Sequence, residues 1–154
     1  MMFSTLLSPT AIKVLSDVSS KKRLFQAVAE MAATQVDIPA ARVFEALQER
    51  ESLGPTGVGQ GIALPHARLP DVDGVRGVFI RLERGIDFDA ADRQPVDLVF
   101  TLLAPVDGGV DHLKALALVS RTLRDAALCT KLRANNDPSA LYALLTATES
   151  IQAA

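Results

Sequence analysis

The chain is short of the residues that make most catalytic and structural centres easy to recognise. It has one cysteine, Cys129, and two histidines, His66 and His112, in 154 residues. A lone cysteine excludes a disulfide framework and a paired-cysteine zinc site, and it fits a reducing compartment. Excess charge of either sign is also missing: the formal net charge is -2, and the one basic cluster, Lys21-Lys22-Arg23, reads as a solvated helix start. That balance gives no electrostatic footprint for nucleic acid. Long apolar runs are absent too. Leu98 to Val106 is interrupted by Thr101 and Pro105 and falls well short of the roughly 20 residues of a membrane span. The opening Met1 to Leu7 carries no charged beginning and breaks at Pro9, unlike a secretory signal. A cytoplasmic protein without direct membrane insertion is therefore expected. Among sequence motifs there is no G-x-G-x-x-G, no Gly-Lys-Ser/Thr loop, no G-x-S-x-G elbow and no H-E-x-x-H pair.

What is present describes an ordinary globular chain. Hydrophobic residues make up 49% and charged residues 22%. A chain of this length buries about 70% of the surface its unfolded form exposes, which predicts a single domain over 1–154 with a real core. Ala11 to Leu15 reads as a short strand. Ser19 or Ser20 caps a helix with Leu24, Val28 and Met31 on its apolar stripe, and Pro39 opens a second helix through Arg50. Strands follow at Ile62 to Pro65, Gly77 to Leu82 and Asp97 to Leu103, with Asp87 to Asp92 as a turn. Helices then run from about Asp111 to Asp125, through Leu128 and Leu132, and after Asp137-Pro138. This order, β-α-α-β-β-β-α-α-α, argues for an α+β domain with one sheet covered by helices.

Chemistry concentrates in the stretch from Gly57 to His66. Glycine at 57, 59 and 61 lets backbone N–H groups approach an anion closely, and imidazole is a nucleophile or proton carrier near neutral pH. GxGxG alone is permissive, and a histidine after a strand is often structural. Helical spacing sets Arg50 on the side of Val43 and Leu47, at the inner rim of the glycine segment. There it either serves the site, pairs with a carboxylate or caps its own helix end. His112 shares a stripe with Leu116, Val119 and Leu123 in the first turn of its helix, where N–H groups and the dipole favour an anion. Its bland alternative is a half-buried ring satisfied by a backbone carbonyl. A nucleophilic imidazole, a guanidinium, a second imidazole and pliant backbone together suit phosphoryl transfer, which needs in-line positioning and donors aimed at equatorial oxygens. A metal shared by the two histidines lacks a third ligand fixed by spacing.

The run from Arg50 through Ser52-Leu53-Gly54-Pro55-Thr56-Gly57 to Leu64-Pro65-His66 resembles the active-site segment of phosphotransferase-system enzyme IIA domains of the mannitol/fructose class, most of all the nitrogen-type enzyme IIA. Phe88 to Phe100 and His112 to Ser120 extend the likeness over nearly the whole chain. The resemblance implies a three-layer α/β/α sandwich with a mixed central sheet. It also implies a phosphocarrier in which His66 accepts phosphate at Nε2 from an HPr-like protein, with Arg50 and His112 in the active site and no metal or organic cofactor. Members of the nitrogen type bind regulatory targets such as potassium transporters and sensor kinases. Thr56, Gly57, Gly59, Gly61 and Arg68 are expected to bind phosphate or dock partners. Two positions depart from the family's common pattern: Pro55 stands where serine is frequent, and Ala67-Arg68 replaces glycine-lysine. An enzyme IIA of sugar uptake and a phosphate-independent binding module are the competing readings. A hydrolase with His66 as general base stands behind them, for want of a nucleophile or metal partner.

Overall fold

In the computed structural model, which describes residues 1–153, two long strands organise everything else. They are β5 (Arg76–Ile86) and β6 (Val96–Pro105), paired antiparallel at the middle of a six-stranded mixed sheet. Their near-continuous apolar sequences are what a strand covered on both faces requires. Successive side chains alternate between two cores. Phe79, Leu98, Phe100 and Leu102 pack on one side, while Val78, Ile80, Val99 and Leu103 pack on the other. A sheet buried on both faces between helices is the three-layer arrangement expected.

Helices α2 (Lys21–Gln35) and α3 (Ala40–Ser52) close one face with Leu24, Phe25, Val28, Val43 and Leu47. Ser20 caps α2 by accepting from the Arg23 N–H at 3.2 Å. Pro39 stands at the cap of α3, one residue before its first turn. The other face is covered by α4 (Gly109–Leu123), α5 (Ala126–Arg133), α6 (Pro138–Ala153) and a short α1 (Phe3–Leu6). Asp125 caps α5, and its carboxylate accepts from the N–H groups of Ala127 and Leu128. Among the described residues no helix is long and apolar enough to cross a membrane.

The expected element order needs correction at two places. A four-residue helix, α1, precedes β1 (Ile12–Leu15) and buries Phe3 and Leu6 in the core. Between α3 and β5, the single strand expected at Ile62 to Pro65 is three short ones: β2 (Gly57–Gly59), β3 (Ile62–Ala63) and β4 (His66–Leu69). The reason is local. Gly59, Gln60 and Gly61 all take positive φ, at 96°, 58° and 80°, so the chain reverses and β2 pairs antiparallel with β3. The Leu64 N–H then bonds back to the Thr56 carbonyl at 3.0 Å, and Pro65 has no N–H to give. Pairing with β6 is interrupted and resumes at His66. His66 therefore begins a strand instead of following one.

Candidate functional site

Strand β4 reads His-Ala-Arg-Leu, and its period of two divides it cleanly. Ala67 and Leu69 are buried in the core beneath α2 and α3, whereas His66 is half-buried and Arg68 exposed. Both polar side chains line an open cleft of about 480 Å³ between the end of α3 and the start of α4. Arg50 enters from α3 and His112 from α4, so the structure brings Arg50, His66, Arg68 and His112 together. Leu53 and Leu113, both largely exposed, form an apolar rim on either side.

The hydrogen bonds assign the ring nitrogens. Nδ1 of His66 lies 3.0 Å from the carbonyl oxygen of Leu64. A carbonyl only accepts, so this nitrogen carries the proton and the lone pair falls on Nε2. Consistently, Nε2 accepts from Nε of Arg50 at 3.3 Å. The same guanidinium donates through Nη1 to the Gly54 carbonyl at 3.1 Å. Of the three options the sequence left open, Arg50 closes its own helix end and also reaches the His66 ring, and no carboxylate pairs with it among the described residues.

His112 is 3% exposed. Its ring meets that of His66 edge-on, with centroids 5.4 Å apart and planes at 70°. Among the described residues no backbone carbonyl satisfies it in the way the bland alternative required. Instead Nδ1 accepts from Nε of Arg68 at 3.4 Å, and Nε2 is buried with no hydrogen-bond partner among the described residues. Burial is the main reason that its acidity is shifted, with the neighbouring His66 and Arg68 acting in the same direction. Its pKa is pushed down to about 4, and the ring is neutral at physiological pH.

The glycine segment lies elsewhere. Thr56, Gly57, Gly59 and Gly61 do not line the His66 cleft. Gly57 is pressed against the loop after β5, where a Cβ would come within 2.9 Å of the Ala90 Cβ. At the hairpin turn the Gln60 N–H donates to the Asp92 carboxylate at 2.7 Å. This bond, joined by one from the Gln94 N–H, holds the Asp92 carboxyl below its ordinary range. Arg133 clamps the other side of the turn, donating to the Gln60 carbonyl at 2.8 Å and to both oxygens of Asp97. Pinned on both flanks, the glycine turn shapes the sheet edge that carries His66.

Thr56 has a different role again. Its N–H and hydroxyl donate to the two oxygens of buried Glu51, at 3.0 and 2.6 Å. Lys21 completes the cluster, 2.9 Å from Glu51 and with Nζ 4.6 Å from the centre of the Phe88 ring. The expectation of a solvated Lys21-Lys22-Arg23 run holds for Lys22 and Arg23 but not for half-buried Lys21. Sequence reasoning passed over Glu51 because a carboxylate at a helix end ordinarily faces water.

Comparison with known proteins places this geometry in context. The family model described as "Phosphoenolpyruvate-dependent sugar phosphotransferase system, EIIA 2" matches residues 5–148. A nitrogen regulatory protein of Bradyrhizobium diazoefficiens is 48% identical over 145 residues, spanning 94% of this chain and 95% of that one. One of Escherichia coli is 48% identical over 132 residues, covering 84% of this chain and 80% of its own length. Among solved structures, nitrogen regulatory protein IIA-Ntr of Neisseria meningitidis superposes with a TM-score of 0.86 at 36% identity, over 92% of this chain and 97% of that one.

Proposed function

The chain belongs to the phosphoenolpyruvate-dependent sugar phosphotransferase system EIIA 2 family, and from that membership and the cleft geometry we propose a phosphocarrier of the nitrogen-regulatory kind that accepts a phosphoryl group on Nε2 of His66. The observation that carries this reading is the pair of bonds fixing the His66 ring. With its proton held on Nδ1 by the Leu64 carbonyl, the ring offers its lone pair at Nε2, in a cleft open to a protein donor.

In the proposed step, the Nε2 lone pair attacks the phosphorus of a phosphohistidine on an HPr-like carrier. The donor's P–N bond breaks and its electron pair returns to the donor imidazole. Arg50 releases Nε2 as the new bond forms and turns its charge to the incoming phosphoryl oxygens, where a guanidinium donor is most effective. Positive charge grows on the His66 ring as nitrogen bonds to phosphorus. The Leu64 carbonyl, still accepting from Nδ1, lowers its cost. His112 supplies a neutral N–H at Nε2 for an equatorial oxygen, which satisfies an otherwise unpaired buried donor. Because it is uncharged, it adds a donor without bringing a second labile cation beside the nucleophile.

A phosphoryl group at the mouth of the cleft adds strong negative charge to a surface lined by Arg50, Arg68 and Glu49 and flanked by exposed Leu53 and Leu113. Regulatory partners then distinguish the two states by charge, and the nitrogen regulatory relatives make that the favoured use over sugar uptake. The decisive experiment incubates the protein with phosphoenolpyruvate, the first enzyme of such a system and its HPr-like carrier, followed by intact mass. Wild type is expected to gain one acid-labile phosphoryl group and His66→Ala none. Equal labelling of both, or labelling of neither, overturns the assignment.

A further inference from the structure

Arg68 was expected only as a phosphate or docking contact, yet its closest polar partner in the structure is His112. Nε of Arg68 points at Nδ1 of His112 at 3.4 Å, and Nη1 reaches the Val106 carbonyl at 3.5 Å. The strand register explains why. Arg68 sits two residues beyond His66 on the same side of β4, opposite Ala104 of β6, and so lies beside the loop that leads into α4. From there its side chain spans from the strand to the first turn of the helix that carries His112.

A guanidinium has only donors and keeps its charge throughout the working range of pH. Its partner on the imidazole must therefore be a lone pair. A protonated Nδ1 would set one N–H against another and place two cations in contact. We propose that Arg68 is a positioning residue that locks His112 as the neutral tautomer with its proton on Nε2, the buried nitrogen left without a partner.

Other ionisable groups around the ring do not substitute for this contact. His66 on β4 faces it edge-on, and Arg50 and Glu49 on α3 line the same cleft. Asp107 lies in the loop before α4, and Asp111 and Lys114 on the helix are exposed. No carboxylate is within ion-pair distance of His112 among the described residues, so nothing there offsets Arg68. Burial alone also favours the neutral ring, but burial does not choose between its two nitrogens. The contact with Arg68 does.

The value of this lock for phosphotransfer rests on the function proposed above, whereas the tautomer itself does not. It is tested on the full chain labelled with 15N-histidine, by long-range proton–nitrogen spectra of His112 over about pH 5 to 8. Wild type is expected to show an unprotonated Nδ1 and a protonated Nε2 throughout. In Arg68→Ala the ring is expected to populate Nδ1–H, with its protonation midpoint raised toward that of free histidine. Arg68→Lys, donor-only and charged, is expected to restore the wild-type pattern in part. Spectra of Arg68→Ala that superimpose on wild type overturn the proposal, as does a loss of phosphotransfer rate that is the same at every pH with His112 unshifted, which marks a docking contact. If wild-type protein takes no phosphate at all, the proposed function fails while the tautomer measurement still decides this one.

Discussion

Glu51 holds Thr56 by two hydrogen bonds, one to each carboxylate oxygen, and so ties the last turn of α3 to the strand that follows. Arg50, its neighbour in sequence, is set against His66 by the same turn. Replacing Thr56 with valine keeps the shape and the N–H but leaves one buried carboxylate oxygen unsatisfied. A loss of about 2 kcal/mol in urea unfolding is expected. A midpoint unchanged from wild type would show that this clasp carries no stability.

Gly61 gives the opposite kind of test, since it bears on folding and lies outside the cleft. Its φ is +80°, and an added Cβ would meet Nη2 of Arg133 at 2.5 Å and Oδ1 of Asp97 at 2.9 Å. Gly61→Ala is therefore expected to destabilise the protein by about 1–3 kcal/mol. Phosphotransfer per folded molecule should stay near wild type. A selective loss of transfer with normal stability would instead restore Gly61 to the phosphate site.

Strong patterns were the parts legible in advance. The stripe of α2, a serine cap at 19 or 20, the apolar runs of β5 and β6 and the inward side of α3 follow from periodicity and capping, which neighbouring elements reinforce. Strand β2 was hidden because Gly-Val-Gly has no apolar alternation. Its pairing comes from a backbone turn held by Asp92 and Arg133, both distant in sequence. Strand β4 did carry a signal, the alternation of His66, Ala67, Arg68 and Leu69, masked by Pro65 in front of it. Of the five polar residues lining the cleft, Arg50, His66 and His112 follow from spacing or chemistry, and Glu49 does not. Arg68 came only through the family resemblance, and its pairing with His112 joins elements that no local pattern connects.

Arg50 has two jobs that a lysine does not combine. One nitrogen caps the Gly54 carbonyl while another addresses Nε2 of His66, a geometry that requires the planar fork. Arg50→Lys keeps the charge but has one compact ammonium for both. The rate of His66 phosphorylation is expected to drop by roughly 10- to 100-fold, measured by quenched-flow mass analysis, with stability within about 1 kcal/mol of wild type. A wild-type rate in the lysine variant would reduce Arg50 to a source of charge.

His112 makes the last prediction one of sign. Its ring titrates near 6.5 when the chain is unfolded and at about 4 in the fold, with burial as the main cause. Between those values the unfolded chain holds a proton that the native protein does not, so acid favours unfolding through this residue. Stability is expected to climb as pH rises from about 4 to about 6.5 and to level off above, with at most about 3 kcal/mol from His112. Carboxylates also titrate at the lower end of this window, which is why the comparison must be differential. Urea unfolding of wild type and His112→Asn at matched pH cancels the carboxylates and leaves the histidine. The variant's curve is expected to be flatter between about pH 5 and 6.5, where few carboxylates change charge. Parallel curves would mean that the His112 ring titrates alike in both states, and the neutral donor assigned to it beside His66 would go with that result.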